Sequence, residues 1–516
     1  MSYHYCNYGK YLHAVRRHPQ PHCKAPTAPL EISSMTTIPT TTKMSATTIP
    51  ISMQLSASGI TDPGRPEAQN QDAFFLLHDV ECQAMVLGVF DGHGRETGKD
   101  AAMTARAFFE AHFRSFTREQ YDQLEADPHG VLSQLFHSCH AMIKTVFRSL
   151  YEQRGYFVDE VDGSLVRRDH FGDDDEGICI RGGTTATIVV VLRGGLKIIT
   201  ANVGDSTAML GALNPMLNRN DVQLRVSDMK AQKSSKLNSP GHRFHDEIKN
   251  ETVLLTGNHS ADNESEYLRV RKHSFGMPEG QVQFVYDCCG GTNATPLARA
   301  VRAREPVFQI SPRGLVHHNM IGNYYKNVRD EWATIVTTPV EAPYPDSLAF
   351  TRTLGDFHMH MYGVCDEPTV QEISLDSIIS QHFSRKRESQ HQGSPTSVQD
   401  NKLTADMAAD LFLVVASDGV WDNWKYEELV EFLAEQDKHP TVTPSSDIVQ
   451  PSRFWALHQQ HSSSSDDGDA TCDQQSHVDR LASALMEANR QRADRIFGDQ
   501  ADNMTAIVCR IQVSLI

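Results

Sequence analysis

No apolar run in this sequence approaches the roughly 18 residues needed to cross a bilayer, so no membrane span is expected. Paired cysteine spacing is missing as well. The 10 cysteines are scattered from Cys6 to Cys509 without a C-x-x-C pair, and only Cys288 and Cys289 adjoin. That excludes a zinc knuckle or disulfide framework and implies reduced thiols in an intracellular setting, cytoplasmic or nuclear. His22-Cys23 opens like a cysteine-phosphatase loop, but no arginine follows to hold a phosphate. A basic surplus is also absent. The net charge is −17, which argues against nucleic acid as a partner and suits a site that collects cations. Internal repeats are lacking, and the hydrophobic share of 39 % is low for a chain of 516 residues. Part of the length is therefore expected to be loop or insert.

Residues 1–53 read as a disordered segment or a targeting peptide. Met35 to Met53 is mostly Thr, Ser, Ile, Pro and Met, and upstream Lys10, Arg16, Arg17 and Lys24 face only one acid, Glu31. A folded domain is expected over 54–516, with inserts at about 214–345, 381–406 and 439–476. Within it, Ala84 to Phe90 reads as a buried strand broken by Asp91-Gly92-His93-Gly94. Ala101, Ala105, Phe108, Phe109, His112, Phe113 and Phe116 recur at helical spacing. Ile188–Leu192 and Leu196–Val203 flank Arg193-Gly194-Gly195 as a hairpin. Leu411–Ala416 predicts a strand, 478–492 a helix with Leu481, Leu485 and Ala488 inward, and Thr505–Val513 the last strand.

One local design recurs. An apolar strand ends, and an aspartate beside glycine sits where the chain leaves the sheet: Asp91-Gly92, Gly204-Asp205 and Asp418-Gly419. Asp502-Asn503 mirrors it ahead of a strand, and Asp72 precedes Phe74–Leu77. A lone Asp-Gly after a strand is usually a turn. Several converging at one sheet edge would crowd carboxylates that need a compensating cation. Oxygen donors without Cys or His suit Mg²⁺ or Mn²⁺, with glycines letting backbone carbonyls approach closely. Two such ions about 3.5–4 Å apart could activate one water for attack on phosphorus. His93 then stands where it could protonate the leaving oxygen.

The series Asn70-Gln71-Asp72-Ala73, Val89-Phe90-Asp91-Gly92-His93-Gly94, Gly183-Thr184-Thr185-Ala186, Ala201-Asn202-Val203-Gly204-Asp205-Ser206, Thr351-Arg352-Thr353-Leu354-Gly355-Asp356, Ala416-Ser417-Asp418-Gly419-Val420-Trp421-Asp422 and Asp502-Asn503-Met504-Thr505 resembles the PP2C (PPM) family of protein phosphatases. The resemblance implies an α+β, four-layer αββα sandwich: two central antiparallel β-sheets flanked by helices. It implies hydrolysis of phosphoserine and phosphothreonine in phosphoprotein substrates, by a monomeric enzyme using two Mg²⁺ or Mn²⁺ and a weaker third. By the same resemblance Asp91 bridges both metals and the Gly92 carbonyl binds one. Asp418 and Asp502 complete the shell of the second metal, and Asp72 holds metal-bound water. Asp205 and Asp422 fall in an outer shell or at the third metal, and His93 is the general acid. The sequence departs from the family where Gln71 replaces a glutamate, where Asn258 replaces an acid before His259, and where Arg65 lies slightly far from Asp72 for a phosphate-binding arginine. The flap between about 258 and 350 is enlarged.

Two rivals follow. A calcineurin-like metallophosphoesterase shares Gly257-Asn258-His259 and Gly204-Asp205, but no acid closely follows Asp205. The alternative is a pseudophosphatase, a phosphoprotein-binding regulatory module that keeps the fold without turnover.

Overall fold

Runs of β-branched and aliphatic residues form the centre of the molecule. The computed structural model describes residues 30–38, 51–65, 68–169, 177–212, 225–226, 252–273, 280–287, 305–375, 379, 409–438 and 468–515. In chain order the central strands are β1 (Leu30–Ile38), β2 (Ile51–Asp62), β3 (Ala73–Asp79), β4 (Ala84–Phe90), β5 (Ala186–Leu192) and β6 (Lys197–Val203). They continue as β7 (Thr207–Ala212), β8 (Arg225–Val226), β9 (Thr252–Leu254), β10 (Thr369–Ser374), β11 (Ala409–Ala416) and β12 (Met504–Leu515). The longer helices are α1 (Gly98–Arg114), α2 (Arg118–Ala126), α3 (Pro128–Gln153), α4 (Glu264–His273), α5 (Tyr426–Lys438) and α6 (Gly468–Ile496).

The strands build two six-stranded sheets, ordered β1-β2-β12-β11-β7-β9 and β8-β10-β6-β5-β4-β3. Every ladder in both is antiparallel. The side-chain period of two explains why the strands read as unbroken apolar runs. In β11, Leu411, Leu413 and Val415 face the opposite sheet, in one cluster with Leu87, Val189 and Ile198. Phe412, Val414 and Ala416 face outward and pack under Leu433, Leu481 and Leu485 of α5 and α6. The second sheet is covered likewise: Phe75, Phe90 and Ile188 lie under Phe109, Phe136 and Phe147 of α1 and α3. The result is the expected αββα sandwich. Its antiparallel ladders are also unlike the βαβ units that a calcineurin-like fold requires.

Local expectations meet the structure closely. The hairpin between β5 and β6 pairs Leu192 with Lys197. Its turn runs through three positive φ values at Arg193, Gly194 and Gly195, which is why the glycine pair is needed. On α1, Ala101, Ala105, Phe109 and Phe113 are buried and Phe108 packs partly against them, whereas His112 is exposed. Asp127 caps α3 by accepting from the Gly130 amide at 3.0 Å, with Pro128 in the first turn.

Outside these elements the structure differs from expectation. β1 falls within 1–53, where backbone pairing with β2 satisfies amides and carbonyls without needing an apolar period. The helix expected over 478–492 starts at Gly468, inside the 439–476 segment. In the 214–345 segment, Val282, Phe284, Val307, Phe308 and Val336 join Val270 and Phe350 in a satellite core. Its short irregular strands carry no long periodicity to read. The 381–406 segment and His22-Cys23 lie outside the described residues. Cys82, Cys139, Cys179, Cys365 and Cys509 are free thiols. Among the described residues no helix is long and apolar enough to cross a membrane.

Candidate active site

Antiparallel register brings the recurring aspartates to one end of the sandwich. In the second sheet Ala73 pairs with Phe90, and Ala186 with Val203, so Asp72, Asp91 and Asp205 leave from the same edge. In the first, Ala416 pairs with Ala506 and Thr207, which puts Asp418 and Asp502 at one edge too. The sheets are stitched there by side chains. Ser417 Oγ donates to Asp72 Oδ2 at 2.9 Å while accepting the Thr505 amide at 3.0 Å. Asn503 Oδ1 accepts the Gln71 amide at 2.8 Å.

Each acid stands on a locked backbone. The Asp91 amide donates to Thr185 Oγ1 at 3.0 Å, and its carbonyl accepts from Thr184 Oγ1 and from the Thr185 amide. The turn that carries Asp418 is held from behind. Trp421 Nε1 donates to the Ala416 carbonyl, and Asn423 and Asn489 both donate to the Gly419 carbonyl. The glycines serve backbone packing more than expected. A Cβ on Gly92 would meet the Gly98 carbonyl oxygen at 2.3 Å, and one on Gly419 the Asn503 carbonyl oxygen at 1.9 Å.

The charges confront one another. Burial, with the Asp502 charge nearby, pushes the Asp72 carboxyl up to about 7. Burial and then the charges of Asp72, Asp418, Asp502 and Asp205 lift Asp91 well above the carboxylate range. Asp418 is raised in the same way by burial, Asp205, Asp502 and Asp422. Burial raises Asp205 as well, against the pull of Lys326. Asp72 Oδ1 and Asp418 Oδ1 are buried oxygens that accept no hydrogen bond. Unmatched acceptors crowded this way are costly without a positive partner.

His93 lies on the same rim. Its Nε2 is 2.5 Å from Asp356 Oδ2, across 263 residues of chain, and Phe350 packs edge-on against the ring. The imidazole side chain is 16 % exposed and the Asp356 carboxylate 1 %. Burial works to raise the Asp356 pKa, but His93, His358 and the Thr353 hydroxyl outweigh it and leave it lowered. Asp356 is the last residue of the Thr351–Asp356 motif, yet the sequence reading assigned it no role; the available signal was Gly355-Asp356, a glycine–aspartate pair like Gly204-Asp205.

Other expected residues have plainer tasks. Gln71 donates through Nε2 to the Gly94 carbonyl at 2.8 Å and so pins the loop that bears His93. Arg65 donates to the Asp499 carbonyl at 2.9 Å, near Asp502 in sequence. His259 is buried, with Nε2 2.9 Å from Thr369 Oγ1, and Asn258 Oδ1 accepts from the Ser260 amide. Asp422 is buried and accepts from Asn327 Nδ2 at 3.2 Å, a contact that the sequence reading missed.

A family model described as Protein phosphatase 2C matches residues 85–222 and 246–446. Among solved structures the chain is similar to serine-threonine phosphatase 2C from Toxoplasma gondii, at 14 % identity and TM-score 0.45, covering 94 % of this chain and 100 % of that one. It is similar to a C. elegans sex determining protein at 13 % identity and TM-score 0.39, covering 88 % and 64 %. A bacterial serine phosphatase variant aligns at 12 % identity and TM-score 0.33, covering 88 % and 96 %. Curated proteins gave no match. The family model spans well over half of the chain, including the segments that carry Asp91, Asp205 and Asp418, and this protein belongs to the protein phosphatase 2C family.

Proposed function

We propose that this protein hydrolyses phosphoserine and phosphothreonine in phosphoproteins, with two divalent cations, Mg²⁺ or Mn²⁺, held at the aspartate rim. The observation that carries this reading is the gathering of Asp72, Asp91, Asp205, Asp418 and Asp502 at one sheet end, where burial and then their mutual repulsion raise Asp91 and Asp418. The unmatched Asp72 Oδ1 and Asp418 Oδ1 fit a cation, and the all-oxygen donor set suits a hard one. Among the described residues no three His, Cys, Asp or Glu side chains close into a ready cage. An ion here would therefore draw part of its shell from the Gly92 carbonyl and from water, as Mg²⁺ commonly does.

Asp91, the Gly92 carbonyl, Asp418 and Asp502 would hold the ions, and Asp72, held at Oδ2 by Ser417, would orient a water through Oδ1. When bound, the ions supply charge neutralisation for the phosphoryl oxygens and a water acidified for attack. His93, gripped through Nε2 by Asp356, is the group for the departing serine or threonine oxygen; the paired imidazolium form is the proton donor. A buried carboxylate orienting an imidazole keeps the ring aimed without spending rotamer freedom at each turnover.

The test is hydrolysis of a phosphothreonine peptide by the full chain with Mn²⁺ or Mg²⁺ titrated in and then removed by EDTA. Metal-dependent phosphate release that disappears in Asp91→Asn is the expected result. Absence of turnover in a folded, metal-loaded chain would overturn it in favour of a phosphoprotein-binding module.

A further inference from the structure

The Asp356 carboxylate reaches His93 from a strained turn. Gly183 pairs with His93 on one side and with Gly355 on the other, in a ribbon of three two-residue strands. A Cβ on Gly183 would meet Asp356 Oδ2 at 2.4 Å, so the missing side chain is what lets the carboxylate cross to the imidazole. Gly355 and Asp356 both take left-handed backbone, at φ of 98° and 43°. Two such residues in a row, the second not glycine, persist only where the surroundings over-determine them.

The Asp356 amide donates to the Gly182 carbonyl at 2.9 Å, and Thr353 Oγ1 donates to Asp356 Oδ2 at 3.0 Å. The Gly355 amide donates to His140 Nδ1, on α3, at 3.2 Å and across 215 residues of chain. An acceptor at Nδ1 requires the tautomer with its proton on Nε2. Burial, with His360 beside it, pushes the His140 ring down to about 3, so the imidazole is neutral at neutral pH and keeps that lone pair. The ring is wedged between Phe357 and His360, with centroids 4.7 and 4.4 Å away. The same helix makes a second, separate hold on the chain well past Asp356. His137 Nδ1 lies 2.6 Å from Asp366 Oδ2, and Ser133 Oγ donates to Glu367 Oε1 at 2.6 Å.

We propose that His140 is a positioning residue for the leaving-group step: by accepting the Gly355 amide it sets the Gly355-Asp356 turn, and through it the direction in which Asp356 aims the His93 ring. This role presupposes the phosphatase reading given above. No proton passes through His140, and its whole contribution is geometric. A misplacement of about 1 Å costs on the order of 100-fold in rate, so the loss of one acceptor here reads out in turnover.

The test compares kcat on a phosphothreonine peptide with kcat on p-nitrophenyl phosphate, for the full chain with Mn²⁺. His140→Phe keeps an aromatic ring against Phe357 but has no acceptor, whereas His140→Asn loses the ring and puts Oδ1 where Nδ1 stood. His140→Phe is expected to lower the peptide kcat roughly 10–100-fold with KM unchanged, and to leave p-nitrophenyl phosphate turnover within about 3-fold of wild type. His140→Asn should keep the wild-type ratio of the two substrates despite a lower melting temperature, and His137→Asn should keep it too. A wild-type ratio in His140→Phe would overturn the proposal. So would a ratio that follows melting temperature and not the acceptor, or a drop in His137→Asn equal to that in His140→Phe. A wild type without metal-dependent turnover of either substrate removes the phosphatase reading, and this inference with it. Should His140→Phe fail to fold, ¹⁵N-histidine spectra of the wild type decide, with the His140 signal assigned by its loss in His140→Asn. An unprotonated Nδ1 at neutral pH supports the proposal, and a proton on Nδ1 sinks it.

Discussion

Replacing Glu266 with glutamine removes a charge that lies behind the candidate site but aligns it. Glu266 is 3 % exposed. Its carboxylate accepts from Arg352 at 3.0 and 2.6 Å, from Arg269 at 2.9 Å and from Thr351 Oγ1 at 2.6 Å. Burial alone would raise its pKa, but the Arg352 bonds and charge, with Arg269, hold the carboxyl far below the usual range. Glutamine keeps the shape, turns one acceptor into a donor facing a guanidinium, and strands the buried Arg352 charge. Breaking one side of a buried pair costs about 3–5 kcal/mol. Arg269 is 25 % exposed and can turn to water, which places the expected loss at the lower end, about 3 kcal/mol.

The sign with pH follows from the depressed carboxyl. Wild-type stability from this group is complete above its unfolded value of 4.5 and is lost as pH falls below that toward the folded value. The gap between wild type and Glu266→Gln should therefore narrow below pH 4.5, by about 1.4 kcal/mol per unit at most. Urea unfolding followed by tryptophan fluorescence, at neutral pH and again in acid, reads both quantities. A neutral-pH loss below about 1 kcal/mol, or a gap unchanged in acid, would refute the reasoning.

Asp356→Asn should behave like His93→Ala. Both should slow a phosphothreonine peptide far more than p-nitrophenyl phosphate, whose leaving group needs little protonation, and the double variant should be no worse than either single one. Asp91→Asn should abolish peptide hydrolysis yet raise the melting temperature in metal-free buffer, because it relieves carboxylate repulsion. Mn²⁺ should stabilise the wild type by mass action, and a calorimetric scan showing no shift would count against the cation site. Gly419→Ala would drive a Cβ to 1.9 Å from the Asn503 carbonyl oxygen. It should cost about 1–3 kcal/mol and weaken Mn²⁺ binding, measurable by denaturation and titration. Burial pushes His140 and His259 down to about 3 and His360 to about 4. Their folded pKa values lie below the unfolded 6.5, so stability should fall as pH drops from 6.5 toward about 4, and His360→Asn should flatten that slope in acid-unfolding curves.

The sequence by itself determined what is local. Asp91, Asp205 and Asp418 stand at strand ends because an apolar run and its breaker are neighbours in the chain. The Arg193–Gly195 turn and the inward face of α1 follow from spacing in the same way. The extra strand at Leu30–Ile38 was hidden because a ladder is made by backbone groups, and a Ser- and Thr-rich segment shows little apolar pattern. Only the tertiary structure decided which acids meet. The register of Ala73 with Phe90 and of Ala416 with Ala506 sets the rim, and no spacing within one strand encodes it. It also matched His93 with Asp356, 263 residues away, and set Asn327 against Asp422. Such partners are chosen by sheet order and by the packing of segments distant in the chain, where a buried charge must find its counter-charge wherever the fold presents one.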